Sequence, residues 1–283
     1  MVNRSGTGAA GDGVDIVAAD VTDAAQAREV CEGAAVVYHC MSTDYTTWPE
    51  TLPPLMQGAI TGAEAANARL VYGDNLYMYG PVDGPLTEDL PYAATTRKGR
   101  VRAQVAETLL SANKNGAIEA TIGRASDFYG PGVTTSKMGE MVFGRILEGK
   151  NPRVLGDPDQ PHTYTYIDDF GRALVTLGTN AEALGSAWHV PSAETITTRE
   201  FVERVIAAAG QPVSISTTPS WVVKGMGWFH PMMREVAEML YESEEAFVVD
   251  HSRYEAAFGS HTTPHHEGIR HTLAWYRRHW SKR

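Results

Sequence analysis

The chain has 283 residues, 43% hydrophobic and 20% charged, with a formal net charge of −10. That length supports one large α/β domain plus a smaller appendage around a buried core. The acidic balance argues against a nucleic-acid partner, no apolar run approaches the roughly 18 residues of a membrane span, and two cysteines without paired-motif spacing, Cys31 and Cys40, fit a reducing cytoplasm.

The opening stretch, MVNRSGTGAAGDG, has no apolar export core and reads as the tail of a strand followed by a glycine-rich loop. VDIVAAD (Val14 to Asp20) is a short buried strand, and TDAAQAREVCEG (Thr22 to Gly33) is a capped helix ending at glycine. AAVVYHCMS is a second buried strand, followed by an aromatic loop, TDYTTWPETLPP, a helix from Met56 to Ala68 and the strand RLVYGDN. Buried strands alternating with helices predict a parallel sheet with right-handed crossovers. The alternation continues through a helix at VRAQVAETLLSANKNG, a strand at IEATIGRASDFYG, and helices at MGEMVFGRILEG and DDFGRALVTLGT. Asp168 and Asp169 are expected to cap the last of these.

From about Gly185 strands become sparse. PSAETITTREFVERVIAAAG gives a Thr-capped helix, and the terminal AWYRRHWSKR an amphipathic helix whose basic end suits its own dipole. The expected division is a sheet domain over residues 1–184 and a smaller α-rich lobe over residues 185–283, interleaved with it. His261, His265 and His266 have neither i,i+4 metal spacing nor nearby cysteines, so no metal site is expected.

Several of these stretches resemble the extended short-chain dehydrogenase/reductase superfamily, the NAD-dependent epimerase/dehydratase group. VAADVTD is similar to the segment whose aspartate lies near the adenine, VVYHCMS to the strand whose end passes the cofactor, and LVYGDNLYMYGP with PLTEDLPY to the catalytic strand and loop. GRASDFYGPG and HTYTYIDDFGRAL resemble the substrate-side stretch and the interdomain helix. The resemblance implies a Rossmann-like doubly wound α/β fold and cofactor contacts at Asp20, Val21, Cys40 and Met41. Arg4, after the presumed second strand, would favour NADP over NAD by holding a 2′-phosphate.

Two departures stand out. The family opens with a strand and a glycine-rich turn that holds the cofactor pyrophosphate at a helix N-terminus. Gly6, Gly8, Gly11 and Gly13 precede a strand instead, so the first βα unit, roughly 30 residues, is expected to be missing. In a sheet of order 3-2-1-4-5-6 that is the central strand, which places Met1 inside a longer natural protein and leaves dinucleotide binding by the present chain in question.

The second departure lies in the family's Y-x-x-x-K relay. Counting from Glu107 to Arg124 puts Gly99 and Ala103 at the tyrosine and lysine positions, and no register yields both residues. The candidates are then Asn75, at the serine position, which can polarise a substrate oxygen; Tyr92, the nearest phenol; and Lys98. For Asn75 the alternative is loop capping with Asp74. The cluster RKGRVR either holds an anion or is a solvated helix face.

The expected function is an NAD(P)-dependent epimerase/dehydratase-like or reductase-like protein acting on a small hydroxylated or carbonyl compound, including a sugar nucleotide. The alternatives are a catalytically silent dinucleotide-binding sensor and a non-redox lyase or isomerase on the same scaffold. A homodimer is a candidate assembly.

Overall fold

A computed structural model of the chain describes residues 1–8 and 10–280. The chain opens with a short parallel ladder, β1 (Val2–Asn3) with β2 (Val17–Ala18), Val2 opposite Val17. Helix α1 (Ala24–Cys31) starts where the Asp23 carboxylate accepts hydrogen bonds from the backbone N–H groups of Ala25 and Gln26. Strand β3 (Val36–His39), helix α2 (Trp48–Ala66), strand β4 (Arg69–Asp74), helix α3 (Arg97–Lys114) and strand β5 (Ala120–Arg124) follow.

Beyond β5 come β6 (Asp127–Tyr129), a π-helical turn over Gly139–Gly144, α4 (Arg145–Leu147), β7 (Arg153–Leu155), β8 (Pro161–His162), β9 (Tyr164–Tyr166) and α5 (Ile167–Thr179). The remainder is β10 (Ala187–His189), β11 (Ile196–Thr197), α6 (Thr198–Ala209), β12 (Ser216–Thr218), α7 (Ser220–Met226), α8 (Pro231–Glu238), α9 (Tyr241–Glu244), α10 (Ser252–Phe258) and α11 (His265–His279). The expected basic tip, Ser281 to Arg283, lies outside the described residues.

The central sheet has the order β10-β5-β4-β3, every pair parallel, as the alternation of elements predicts. Successive side chains of β4 face opposite layers. Leu70 and Tyr72 join the core under α2 and α3, while Val71 joins Phe170, Leu174 and Leu177 of α5 on the other face. The sheet is thus sandwiched between helices, which is why its strands read as continuous apolar runs. Among the described residues β3 pairs only with β4, and β1 only with β2, so the parallel sheet is interrupted between β1 and β3. β10 lies after Gly185 yet closes the far side of the sheet against β5, so the C-terminal part of the chain contributes to both bodies. A second core joins Tyr129, Phe143 and Tyr164 to Phe201 and Tyr276, so segments from both sides of residue 185 build it together.

Three local expectations are corrected. Helix α2 begins at Trp48 rather than Met56, so the aromatic loop is shorter than its composition implied. Pro49 sits in the first turn, where its missing N–H is harmless, and Pro53 and Pro54 are tolerated because Trp48, Leu52 and Met56, four residues apart, bury one face. The stretch 118–130 divides into β5 and β6, which pair in different sheets. The N-cap position of α5 is Tyr166, and Asp169 instead accepts hydrogen bonds from the Thr263 N–H at 2.6 Å and hydroxyl at 2.8 Å, tying the final segment to the sheet domain.

Helices α1 and α2 approach unusually closely. A Cβ added to Gly58 would lie 1.8 Å from the Val21 carbonyl oxygen, and one added to Gly62 would lie 2.6 Å from that of Ala27. These two glycines, one turn apart, form the groove that receives the start of α1.

Candidate functional site

The carboxyl ends of parallel strands form the natural crevice of such a sheet. Here β4 and β5 end in a paired register of Asp74 opposite Arg124, and His189 of β10 stands opposite Arg124 on the other side. Asp74 accepts from Arg102 Nη1 at 3.2 Å and lies 3.6 Å from Arg124 Nε, so one buried carboxylate serves two buried guanidinium groups. The remaining positive charge is spread over phenols. Arg102 donates to the Tyr72 hydroxyl at 2.6 Å, and Arg124 donates to Tyr79 at 2.6 Å and to Tyr92. Tyr79 in turn contacts His189 Nε2 at 2.9 Å, and His189 Nδ1 donates to the Asp250 carbonyl at 3.0 Å. Burial, helped by the Arg124 charge, lowers the His189 pKa to about 3, so the ring is neutral. Burial also raises the Tyr79 phenol to about 12, which keeps it protonated.

The three expected catalytic residues have separate partners. Asn75 follows β4 and its Oδ1 accepts from the Tyr77 N–H at 3.2 Å, the loop-capping role. Among the described residues its Nδ2 has no partner, so a donor remains. The Tyr92 hydroxyl is held by Arg124, not by a lysine. Lys98 is fully buried and its Nζ binds the Glu235 carboxylate, with the Tyr45 ring centre 3.9 Å away. Gly99 and Ala103 lie on α3. A Cβ at Gly99 would fall 2.3 Å from Ala94 Cβ and 2.5 Å from the Tyr77 carbonyl oxygen, so the tyrosine position is filled by neighbouring chain.

The expected cofactor contacts sit at strand ends. Arg4 is exposed in the turn after β1, and its charge helps hold the Asp20 carboxyl below its ordinary value. The larger cause is Thr22, whose hydroxyl donates to Asp20 Oδ1 at 2.7 Å and whose N–H does so at 3.0 Å. Val21 is buried against α2. Cys40 is exposed just past β3, and Met41 packs partly against the core beneath α2 and α3. Gly6, Gly8, Gly11 and Gly13 fall between β1 and β2, and among the described residues no helix begins there.

A second constellation escaped sequence reasoning. Lys137 Nζ lies 3.0 Å from both Asp127 Oδ2 and Glu242 Oε2, and His162 Nε2 lies 3.0 Å from Asp127 Oδ2. Burial pushes Glu242 up to about 7, only partly offset by Lys137, whereas Lys137 and His162 together hold Asp127 well below the carboxylate range despite burial. Burial lowers His162, which stacks on Phe247 with ring centres 5.2 Å apart. Glu242 Oε1 and the neighbouring Tyr241 hydroxyl are buried without hydrogen-bond partners among the described residues. Partners 105 residues apart leave no local pattern, and Glu235 and Glu238 of α8 are separated from Glu242 of α9 by a turn.

A sequence profile described as the NAD dependent epimerase/dehydratase family matches residues 2–190. The chain is 25% identical over 208 residues to a dTDP-glucose 4,6-dehydratase from Actinoplanes sp., covering 71% of this chain and 57% of that protein. It is 23% identical over 230 residues to the 3beta-hydroxysteroid-dehydrogenase/decarboxylase isoform 2 of Arabidopsis thaliana, covering 74% of this chain and 40% of that protein. It therefore spans less than two thirds of the length of these relatives. Among solved structures, the dTDP-glucose 4,6-dehydratase of Streptomyces venezuelae with NAD and TYD bound superposes with a TM-score of 0.77 at 18% identity, over 94% of this chain and 80% of that one. The UDP-glucuronic acid 4-epimerase of Bacillus cereus in complex with NAD gives 0.72 at 17% identity, over 92% and 79%. At these identities the structural likeness establishes the Rossmann-like α/β fold.

Proposed function

The chain belongs to the NAD-dependent epimerase/dehydratase family, and within that family we propose that it binds a small hydroxylated or carbonyl compound of the nucleotide-sugar class without a tyrosine–lysine proton relay. The observation that carries this is the state of the relay positions: Gly99 has no room for a larger side chain, Ala103 carries no charge, and the adjacent Lys98 is bound to Glu235. In the relay a lysine lowers the tyrosine pKa; beside Tyr92 the cation is instead Arg124, which donates to its hydroxyl and is shared with Tyr79 and Asp74. Asn75 remains the group suited to polarise a ligand oxygen, through Nδ2.

The residues present do not make a complete dinucleotide site. Arg4, Asp20 and Val21 supply an adenine-side edge, and Arg4 favours a 2′-phosphate and so NADP. Among the described residues there is no strand, glycine turn and helix to cradle a pyrophosphate at the interrupted part of the sheet. No reaction step is therefore routed through a nicotinamide.

Glu242 favours a second, non-redox reading: a carboxyl poised near neutrality beside a lysine can exchange a proton with a ligand without hydride transfer. Calorimetric titration with dTDP-glucose and UDP-glucuronic acid, followed by NADH and NADPH, tests the proposal. Binding of a nucleotide sugar that weakens in Asn75→Asp supports it; absence of binding by every nucleotide sugar overturns it.

A further inference from the structure

The segment from α7 to α9 is oriented opposite to an ordinary surface helix pair. It buries carboxylates and exposes aromatics: Glu235 is 6% and Glu242 2% exposed, whereas Trp221, Trp228 and Phe229 are 74%, 87% and 90% exposed. Glu235, Glu238 and Glu242 are spaced i, i+3 and i+7, and all three face cations of the sheet domain and its loops. Glu235 accepts from Lys98 Nζ and, at 3.3 Å, from Arg97 Nη1. Glu238 accepts from the Arg97 backbone N–H, and Glu242 Oε2 lies 3.0 Å from Lys137 Nζ. Tyr45 lies between the two lysines, with its ring under Lys98 and its hydroxyl in the field of Lys137 and Glu242.

The fully buried apolar side chains of this segment among the described residues are Val223, Met239 and Leu240, so ion pairs carry much of its attachment. Lys98 is a fully buried cation and Lys137 a half-buried one, and the buried charge needs a counter-charge whatever supplies it. A carboxylate oxygen there does what an oxygen of a phosphate-bearing ligand would do equally well. Segment and ligand then compete for the same ammonium groups.

We propose that Ser220 to Glu244 is an acidic latch that closes the crevice by neutralising Arg97, Lys98 and Lys137, and that an anionic ligand displaces it. The ligand half of this statement rests on the crevice being the nucleotide-sugar site proposed above; the closing contacts do not.

Hydrogen exchange on the full chain tests both halves. In Glu235→Gln/Glu238→Gln/Glu242→Gln, amides of residues 220–244 should exchange about tenfold faster or more while those of β4 and β5 stay unchanged. Should the triple variant lose the sheet protection as well, Glu238→Gln alone, at the partly exposed carboxylate, should give a smaller acceleration confined to the same segment. Inorganic pyrophosphate added to the wild type at constant ionic strength should accelerate exchange in residues 220–244, and matched chloride should not. Unchanged exchange of the segment in a folded variant, or protection of it by pyrophosphate, overturns the latch. Release in the variant with no binding of any nucleotide sugar supports the latch and sinks the ligand reading.

Discussion

Asn75 shows how one side chain can satisfy a structural and a chemical demand together. Its Oδ1 fixes the turn after β4 by accepting from Tyr77, which leaves Nδ2 as a donor at the carboxyl end of the sheet. Asn75→Ala is expected to weaken nucleotide-sugar binding by about 0.5 to 1.5 kcal/mol in calorimetry, and Asn75→Ser to retain more of it, because a hydroxyl still donates. Glu242 allows a pH test. Its carboxyl sits near 7 in the folded protein and at its ordinary, lower value when unfolded, so the unfolded chain ionises first. Stability should therefore fall as pH rises from the ordinary carboxylate range towards 7, and then level off. Asp127 acts in the opposite sense, since its lowered pKa gives stability that is lost only as pH falls below the ordinary carboxylate value. Denaturant titrations between these limits should show Glu242→Gln removing the fall seen in the wild type. Neither Asp127 nor Glu242 was legible as a site residue, because each gains its chemistry from Lys137, which is distant in sequence from Glu242.

Among the elements, α3 and its approach decide what the scaffold can hold. Gly99 lies where the turn of Tyr77 and the side chain of Ala94 close on the helix, so a side chain at this position would meet neighbouring chain. Gly99→Tyr/Ala103→Lys should consequently destabilise the fold by roughly 1 to 3 kcal/mol or more and restore no relay, checked by denaturant midpoint and by turnover. Gly58 of α2 makes the parallel case away from the site. Gly58→Ala puts a methyl against the Val21 carbonyl and should cost about 1 to 3 kcal/mol by the same measurement, whereas Gly171→Ala, with open space around it, should be close to neutral. Periodicity placed α1, α3 and α5, and the cap was legible only for α1; α3 starts at Arg97, ahead of the expected stretch from Val101, and α5 has no side-chain cap. The first two turns of α2 were missed, since Pro49, Pro53 and Pro54 look like a loop unless the buried stripe of Trp48, Leu52 and Met56 is weighed against them. The division of 118–130 into β5 and β6 was also hidden, because nothing in that stretch marks where the chain leaves one sheet for the other.

At the level of the whole molecule, and although β10 (Ala187–His189) gave no strand signal, the doubly wound character was legible in the alternation of β3, β4 and β5 with helices. So was the interruption beside β3, because a glycine loop that precedes a strand cannot serve as a phosphate-binding turn. Less visible was how Glu235, Glu238 and Glu242 reach Arg97, Lys98 and Lys137, an arrangement set by tertiary charge pairing. The proposed reading is of a family member that binds a nucleotide sugar without a tyrosine–lysine relay. Stopped-flow absorbance of reduced nicotinamide, recorded with the protein, NAD and dTDP-glucose after calorimetry has established which of them bind, decides the matter. Nucleotide-sugar binding without any transient of reduced nicotinamide is the expected result. A transient that forms in the wild type and disappears in Tyr92→Phe would contradict it, by placing a working relay at Tyr92 after all.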